Sequence, residues 1–405
     1  MQMISFHYLI NKIKDVKIKD YFSVFPMITA LILKPFYRER YQGTWLICEE
    51  PYEARDNGYH FFRYMCERQP QQKCYYAVKK ESVDAKKVQK IGLTVEYGSI
   101  QHWLAYFLCA YNISSQKGGK PNPAMCAFME MNGVFKPRNV FLQHGITKDM
   151  AEWLFADKCN FYFFITAAIP EHNMIKDYYG YKDGVARLTG FPRYDSLIPN
   201  QTNQNQILIM PTWRNWFNLK SKGSQDVKTP FGCSEYLKKW MELLNSKELD
   251  YLIINHNLKV VFFLHRNMQR YIEAFQGVNE KIVIASWKDY DIQELLLTSK
   301  LMITDYSSVF FDMVYMKKPV IFYQFDEEEY RKYQYQQGWF DYHSNAFGTS
   351  YSASEEVIEA LSHEIENGYK VSERYLNEYS HIFAYSDRRN SRRIYELLDK
   401  EKSDM

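Results

Sequence analysis

From Thr44 onward, short apolar runs alternate with longer segments of helical spacing, and this alternation restricts the chain to few architectures. The runs that read as strands are Trp45–Cys48, Tyr75–Val78, Asn139–Leu142 and Phe161–Thr166. A second series comprises Ile207–Met210, Val260–Leu264, Ile282–Ala285, Leu301–Ile303 and Val320–Tyr323. Segments such as Gly58–Glu67, Ser99–Ala110 and Ile292–Thr298 carry helical spacing between them. Unbroken apolar strands between helices imply parallel sheets covered on both faces. A polar stretch around Pro199-Asn-Gln-Thr-Asn-Gln-Asn-Gln206 separates the two series and has the composition of a linker. The chain therefore reads as an α/β protein of two Rossmann-like domains, 41–197 and 207–375, joined by a linker at 198–206. A helical segment at 1–40 precedes them and a C-terminal helix at 376–405 follows. Ligands of such sheets sit beyond the carboxyl ends of the strands, so two facing sheets imply a central cleft.

Length and composition support this division. A chain of 405 residues suits two domains, and 46% apolar residues can fill two cores. The 51 basic and 48 acidic residues nearly cancel, which excludes wholesale disorder and a polyanion-coating protein. The seven cysteines, Cys48, Cys66, Cys74, Cys109, Cys126, Cys159 and Cys233, form no C-x-x-C pair. They read as reduced thiols of a cytosolic protein, not as a disulfide framework or a zinc site. The start has no secretory h-region, and the apolar run Tyr21–Leu33, interrupted by Pro26, falls short of the ~20 residues of a membrane span. Lys12, Lys14, Lys17 and Lys19 precede that run, and Lys34, Arg38 and Arg40 follow it. Basic flanks around Phe22, Phe25, Ile28, Leu31 and Leu33 suit an interfacial helix on anionic lipid; an ordinary packed helix is the alternative.

The chemistry-bearing residues lie at strand ends. In Asn139-Val-Phe-Leu-Gln-His-Gly-Ile-Thr-Lys-Asp149, His144 and Gly145 follow an apolar strand, with Lys148 close by. Gly145 permits close approach of chain or ligand, and an imidazole can take a proton from a hydroxyl. Taken alone, such a histidine is also a common structural residue. Gly190-Phe-Pro-Arg-Tyr-Asp195 offers Arg193 either as a phosphate clamp or as the partner of Asp195 in a turn. Met210-Pro-Thr-Trp-Arg214 places Trp213 and Arg214 after one strand, and Val261-Phe-Phe-Leu-His-Arg266 places His265 and Arg266 after another. Those cationic groups could neutralise charge on a phosphate. Thr304-Asp-Tyr-Ser-Ser308, followed by Asp312, sets Ser307 and Ser308 at the expected start of a helix, where free N–H groups attract anions. Plain N-capping by serine is the alternative. Asp289-Tyr290-Asp291 has a D-x-D form that can hold a metal, but it precedes a helix and Asp291 reads as its cap. No residue set reads as a metal site. The sequence contains no P-loop, no G-x-S-x-G, no H-E-x-x-H and no G-x-G-x-x-G.

In order, Asp56-Asn-Gly-Tyr-His-Phe-Phe62, Leu142-Gln-His-Gly145, Gly190-Phe-Pro-Arg193, Pro211-Thr-Trp-Arg214, His265 and Thr304-Asp-Tyr-Ser-Ser308 resemble the CDP-glycerol glycerophosphotransferase family. These are teichoic acid enzymes with a GT-B fold. The resemblance runs from about Trp45 to Tyr330. It implies transfer of glycerol phosphate, or a related alditol phosphate, from CDP-glycerol or CDP-ribitol to a hydroxyl of a lipid-linked or polymeric cell-surface glycan, with release of CMP. By the same resemblance His144 and His265 are catalytic, His144 as base and His265 on the donor pyrophosphate. Gly145, Lys148, Arg193, Trp213, Arg214, Arg266, Thr304, Ser307, Ser308 and Asp312 are expected to hold the donor, and Asp56, Asn57 and Gly58 the acceptor. No cofactor is implied beyond the donor substrate. A cytoplasmic enzyme, peripheral on the inner face of the membrane and without nucleic-acid partners, is the matching expectation; Arg388, Arg389, Arg392 and Arg393 read as a solvated or lipid-facing helix. Two departures, Arg266 where many members have proline and Ile146-Thr-Lys148 where polymerases have Thr-Pro-Leu, leave the alditol and acceptor open. The longer polymerases carry an extra N-terminal region that this sequence does not show, which is compatible with a primase, a short-chain enzyme or a capsule enzyme. The rival readings are a GT-B glycosyltransferase using a nucleotide sugar and a non-catalytic membrane-associated scaffold.

Overall fold

The computed structural model describes residues 22–198, 205–217 and 230–403. Lys12, Lys14, Lys17, Lys19, Tyr21 and residues 199–204 of the expected linker lie outside the described residues. The chain divides into two compact units. The first comprises Met1–His144, Glu152–Ser196 and Ala384–Met405, and the second comprises Gly145–Ala151 and Leu197–Phe383.

The first unit is built on seven parallel strands: β1 Trp45–Cys48, β2 Cys74–Val78, β3 Leu93–Glu96, β4 Tyr111–Ser114, β5 Asn139–Phe141, β6 Phe163–Thr166 and β7 Ala186–Leu188. Their order is β3-β2-β1-β4-β5-β6-β7. The central strands are apolar and buried on both faces, as β1 shows at every position. Helices start where a side chain satisfies free N–H groups: Ser99 accepts from His102 N ahead of Ile100–Leu108, and Asn122 accepts from Met125 N ahead of Pro123–Met131. The helix Val24–Leu33 buries Ala30, and Met27, Leu33 and Tyr37 pack against the cluster around Trp103, Leu104 and Cys126.

The second unit carries β8 Asn205–Met210, β9 Leu258–Phe263, β10 Ile282–Ala285, β11 Ser299–Thr304, β12 Val320–Tyr323 and β13 Ser350–Tyr351, ordered β10-β9-β8-β11-β12-β13 and all parallel. Helices Glu235–Leu244 and Lys247–Asn255 are capped by Ser234 and Ser246. Asp291 accepts from Gln293 N and Glu294 N at the start of Ile292–Thr298, so the D-x-D sequence contributes a helix cap.

Both sheets have the 3-2-1-4-5-6 order in which the chain reverses direction between two central strands, and ligands bind at that reversal. In the second unit it falls between β8 and β11. The Pro211–Arg214 and Asp305–Ser308 loops flank it at the carboxyl ends.

The expected helix at 376–405 is instead two: Glu373–Ile382 belongs to the second unit and Asn390–Ser403 to the first. The second of these docks through Asp195, whose carboxylate accepts from Asn390 N (2.8 Å) and Ser391 N (2.8 Å). Gly190, at φ +80°, leaves room for Asn390; a Cβ there would meet Asn390 Oδ1 at 2.1 Å. Asp195→Ala should lower stability by about 0.5–2 kcal/mol, the usual worth of a lost helix cap. The check is the urea midpoint together with earlier proteolysis of the C-terminal helix.

Candidate active site

In the first unit the backbone is held firmly where β5 ends. Gln143 sits at φ +59°, a left-handed conformation that costs a non-glycine residue roughly 1–2 kcal/mol. Its amide offsets that cost by donating to Ile165 O (2.7 Å) and Glu171 Oε1 (3.0 Å). Glu171 is itself buried, and its other oxygen accepts from Ala167 N and Ala168 N at the start of the helix Ile169–Tyr178. Asn57 Nδ2 donates to Gln143 O (2.7 Å), and Asn57 Oδ1 accepts from Arg193 N (3.1 Å). Arg193 Nη1 donates to His144 O (2.7 Å) and to Asp56 Oδ1 (3.0 Å). Glu49, just past β1, accepts from Arg55 N, Asp56 N and Tyr59 N, and Gly58 packs on it with no room for a Cβ. His144 keeps exposed surface although protein closely surrounds it. Loss of hydration among the surrounding protein, reinforced by the Arg193 guanidinium, lowers its pKa to about 4. The imidazole is therefore neutral at pH 7 and able to accept a proton.

These contacts change the reading of four residues. Asn57 is fully buried with its amide committed to backbone groups, and Gly58 is buried against Glu49, so neither offers a surface to an acceptor. Asp56 caps the helix Asn57–Arg68 and binds Arg193. Arg193 is buried in that pairing and does not pair with Asp195, which serves the C-terminal helix. Asn57, Arg193 and, through Arg193, Asp56 hold the backbone on which His144 is mounted, and Gly58 leaves room beside them for Glu49.

In the second unit, three strand-end loops are tied together by one buried cation. Arg214 is 0% exposed. It donates from Nη2 to Asp305 Oδ2 (2.8 Å), from Nε to Asp326 Oδ2 (2.8 Å) and from Nη1 to Thr212 O (2.8 Å). Asp305 also accepts from Thr212 N (2.7 Å) and Tyr306 N (2.6 Å). Tyr236, Tyr306 and Tyr330 surround the guanidinium at 5.0, 5.0 and 5.3 Å, and Tyr306 stacks on Tyr330 at 3.9 Å. Burial alone would lower the pKa of Arg214, but Asp326 and Asp305 outweigh it and raise the value. A guanidinium so enclosed cannot reach a donor, and the expectation that Arg214 touches one is corrected. Thr304 is likewise fully buried, with Oγ1 donating to Met210 O (2.6 Å), and Asp312 lies buried within the helix Phe310–Tyr315.

Around Arg214, Asp305 and Asp326 the remaining expected residues differ in their exposure. Trp213 is partly exposed, and its ring lies near-parallel to that of His265 at 6.2 Å. His265 Nδ1 accepts from Asn267 N (3.2 Å), which puts the proton of the neutral ring on Nε2. Arg266 is exposed, 5.8 Å over the Trp287 ring. Ser308 is partly exposed and Ser307 is buried, its Oγ accepting from Val309 N. The helix starts at Phe310, later than the sequence suggests, and no side chain caps it. The serines therefore stand in a turn ahead of the helix, and their hydroxyls are the local donors.

The segment Gly145–Ala151 belongs to this second unit. A Cβ on Gly145 would lie 2.8 Å from Ser308 Oγ. Trp339 Nε1 donates to Thr147 O (2.9 Å), Met150 pairs with Gln336, and Arg331 binds Asp149 (2.7 Å). Lys148 is buried, ion-paired with Asp149 and 5.0 Å from the Tyr342 ring. Burial lowers its pKa against the opposing pull of Asp149. Lys148 thus anchors the segment, which corrects its expected place among the donor contacts. Neither Asp326 nor Arg331 announces itself in the sequence. Asp305, inside the Thr304–Ser308 motif, could have been found there as the one carboxylate following a buried strand.

Among the described residues no group of three or more His, Cys, Asp or Glu side chains could hold a metal ion. Comparison with known proteins places this geometry in context. The family described as CDP-glycerol:poly(glycerophosphate) glycerophosphotransferase matches residues 33–400. The minor teichoic acid biosynthesis protein GgaB of Bacillus subtilis is 32% identical over 362 residues, covering 87% of this chain and 39% of that protein. A teichoic acid poly(glycerol phosphate) polymerase of Bacillus spizizenii is 29% identical over 234 residues, 52% of each chain. The chain thus spans about 39–52% of the length of these two relatives. The solved wall teichoic acid polymerase TagF superimposes over 96% of this chain and 99% of its own, with a TM-score of 0.64 at 15% identity, and so shares the fold. The two parallel sheets are those of a GT-B fold, and with the family match extending over nearly its whole length, the chain belongs to the CDP-glycerol:poly(glycerophosphate) glycerophosphotransferase family.

Proposed function

We propose that the chain transfers an alditol phosphate from a CDP-alditol to a hydroxyl of a lipid-linked or polymeric glycan, releasing CMP. Family membership supports the reaction class, and relatives named as glycerol-phosphate and ribitol-phosphate enzymes support an alditol phosphate as the transferred group. The observation that carries the reading is covalent. His144, an exposed residue whose imidazole is neutral, is followed by Gly145, which packs on Ser308 at the reversal point of the second sheet.

In this mechanism the acceptor oxygen attacks the β-phosphorus of the donor and a new P–O bond forms. The bond from that phosphorus to the oxygen bridging the two phosphates breaks, and CMP leaves. The hydroxyl proton passes to Nε2 or Nδ1 of His144. General-base assistance of this kind contributes about 10²–10⁴-fold. Phosphoryl transfer otherwise depends on positioning and on neutralising developing charge. His265 Nε2–H, Arg266 and the hydroxyls of Ser307 and Ser308 are the donors for that charge, with Trp213 beside them. The enclosed groups Arg214, Asp305 and Asp326 fix the loops and do not touch the substrate.

The helix Val24–Leu33 supplies the contact with the acceptor's lipid. Phe25 is 74% exposed and Ile32 67%, on the side away from Ala30, with Ile28 and Leu31 partly exposed beside them and Phe22 and Phe36 at either end. Arg38 and Arg40 follow on exposed backbone, so an anionic bilayer surface is the occupant that both the apolar and the charged groups suit. No helix among the described residues is long and apolar enough to cross a membrane.

Four outcomes are expected. Incubation with CDP-glycerol, CDP-ribitol and UDP-sugars plus a lipid-linked acceptor should release CMP from a CDP-alditol and no UDP; UDP release with sugar transfer would replace this reading with a glycosyltransferase. His144→Ala should lower turnover at least about 10²-fold. In the unaltered chain a base with a pKa of about 4 remains neutral down to mildly acid pH, so kcat/KM should hold between pH 7 and 5 and its acid limb should fall near pH 4, not at 6.5. For the membrane face, Phe25→Glu with Ile32→Glu should weaken co-sedimentation with phosphatidylglycerol vesicles at least tenfold while leaving CMP release to a soluble acceptor unchanged. Equal sedimentation would remove the lipid assignment.

A further inference from the structure

The residues at the N-terminus of the helix Asn57–Arg68 form a latch around the backbone of His144. Asn57 is the centre of it. Its side-chain amide bridges two chain segments far apart in sequence, donating to Gln143 O (2.7 Å) and accepting from Arg193 N (3.1 Å). Arg193 returns to the same backbone one residue on, at His144 O (2.7 Å). On the other side the Gln143 amide holds its own left-handed backbone by its bonds to Ile165 O and Glu171. Two consecutive carbonyls, those of residues 143 and 144, are thereby held by two different side chains. The conformation that turns the chain out of β5 is fixed by a third. None of these groups has the exposure needed to meet a substrate.

We infer that Asn57 and Gln143 are positioning residues that act on the reaction solely through His144, by fixing the backbone from which its imidazole projects. The inference rests on the assignment of His144 as the base. A reacting group misplaced by about 1 Å can cost on the order of 10²-fold in rate, which sets the size of effect that a lost latch can produce. Buried amides serve this purpose better than charges would. Removing the Asn57 amide leaves an unpaired carbonyl and an unpaired N–H without unpairing a charge, whereas removing that of Gln143 also takes one donor from the Glu171 carboxylate.

The test is a double-mutant cycle on the full chain. Asn57→Ala and Gln143→Gly are each combined with His144→Ala, with CDP-glycerol and a lipid-linked acceptor as substrates. Gln143→Gly keeps a residue that accepts φ +59° while removing the amide, so it carries the test should Asn57→Ala fail to fold. Each single variant should lose about 10–100-fold in kcat with the KM for CDP-glycerol unchanged. In the His144→Ala background the same changes should have no further effect, since residues acting through one group are not additive. Losses that multiply in the double variants would overturn the inference. So would an unchanged kcat in the single variants.

A second readout does not depend on turnover. In protein labelled with ¹⁵N-histidine, the His144 signal, assigned by its absence in His144→Ala, should shift or split in Asn57→Ala and Gln143→Gly. An unmoved signal in both would overturn the latch. If instead His144→Ala itself retains full turnover while the signal moves, the latch stands and the assignment of His144 as base fails.

Discussion

The loops that shape the second unit's ligand end depend on a single buried guanidinium. Arg214 joins the loop after β8, the loop after β11 through Asp305, and the loop after β12 through Asp326. Removing one member of such a buried set leaves an uncompensated charge and costs about 3–5 kcal/mol. The aromatic rings around Arg214 exclude water, and the two carboxylates keep it ionised. The charge therefore serves geometry: it ties three strand-end loops together, and Trp213 and Ser308 on two of them stay partly exposed.

The first unit answers the same mechanical problem with two side-chain amides beside the charged groups Arg193 and Glu171. There the end of β5 is shaped by amide-to-backbone hydrogen bonds and the Arg193–Asp56 pair, and the imidazole beside them is uncharged at pH 7. The contrast follows from the chemistry required at each place. In the second unit the Arg214 charge is balanced by Asp305 and Asp326 and stays sealed beneath the loops. At the end of β5 the surrounding protein and the Arg193 guanidinium keep the His144 imidazole uncharged well below pH 7, at the cost of some intrinsic basicity.

The architecture was largely legible because the central strands are continuous apolar runs between helical segments; Ile282–Ala285, Ile292–Thr298 and Val320–Tyr323 have the bounds read from the sequence. The strands that escaped notice are β3, β4, β7 and β13. Three of these lie at sheet edges and are only partly buried, so they leave no apolar run, and β4 carries Asn112 and Ser114 in polar contacts. The motifs at strand ends were also legible as places, yet their residues divided in ways that no local pattern reveals. Arg214 and Trp213 are neighbours in sequence, but one is sealed by Asp305 and Asp326, 91 and 112 residues away, while the other is left accessible. Asn57, which the family resemblance implies as an acceptor contact, is buried by partners 86 and 136 residues distant. Burial by distant partners is what separates a support from a contact, and a single sequence does not carry it.

The central claim is that the Asp305–Ser308 turn grips the donor phosphates while His144 acts only on the acceptor proton. Calorimetric titration of CDP-glycerol into the inactive His144→Ala chain, with and without Ser307→Ala and Ser308→Ala, tests this most directly. His144→Ala should bind CDP-glycerol as tightly as the unaltered chain does, and loss of both hydroxyls should weaken binding at least tenfold, about 1.4 kcal/mol. Equal affinity with and without the serines, or loss of donor binding on removal of His144 alone, would contradict the account.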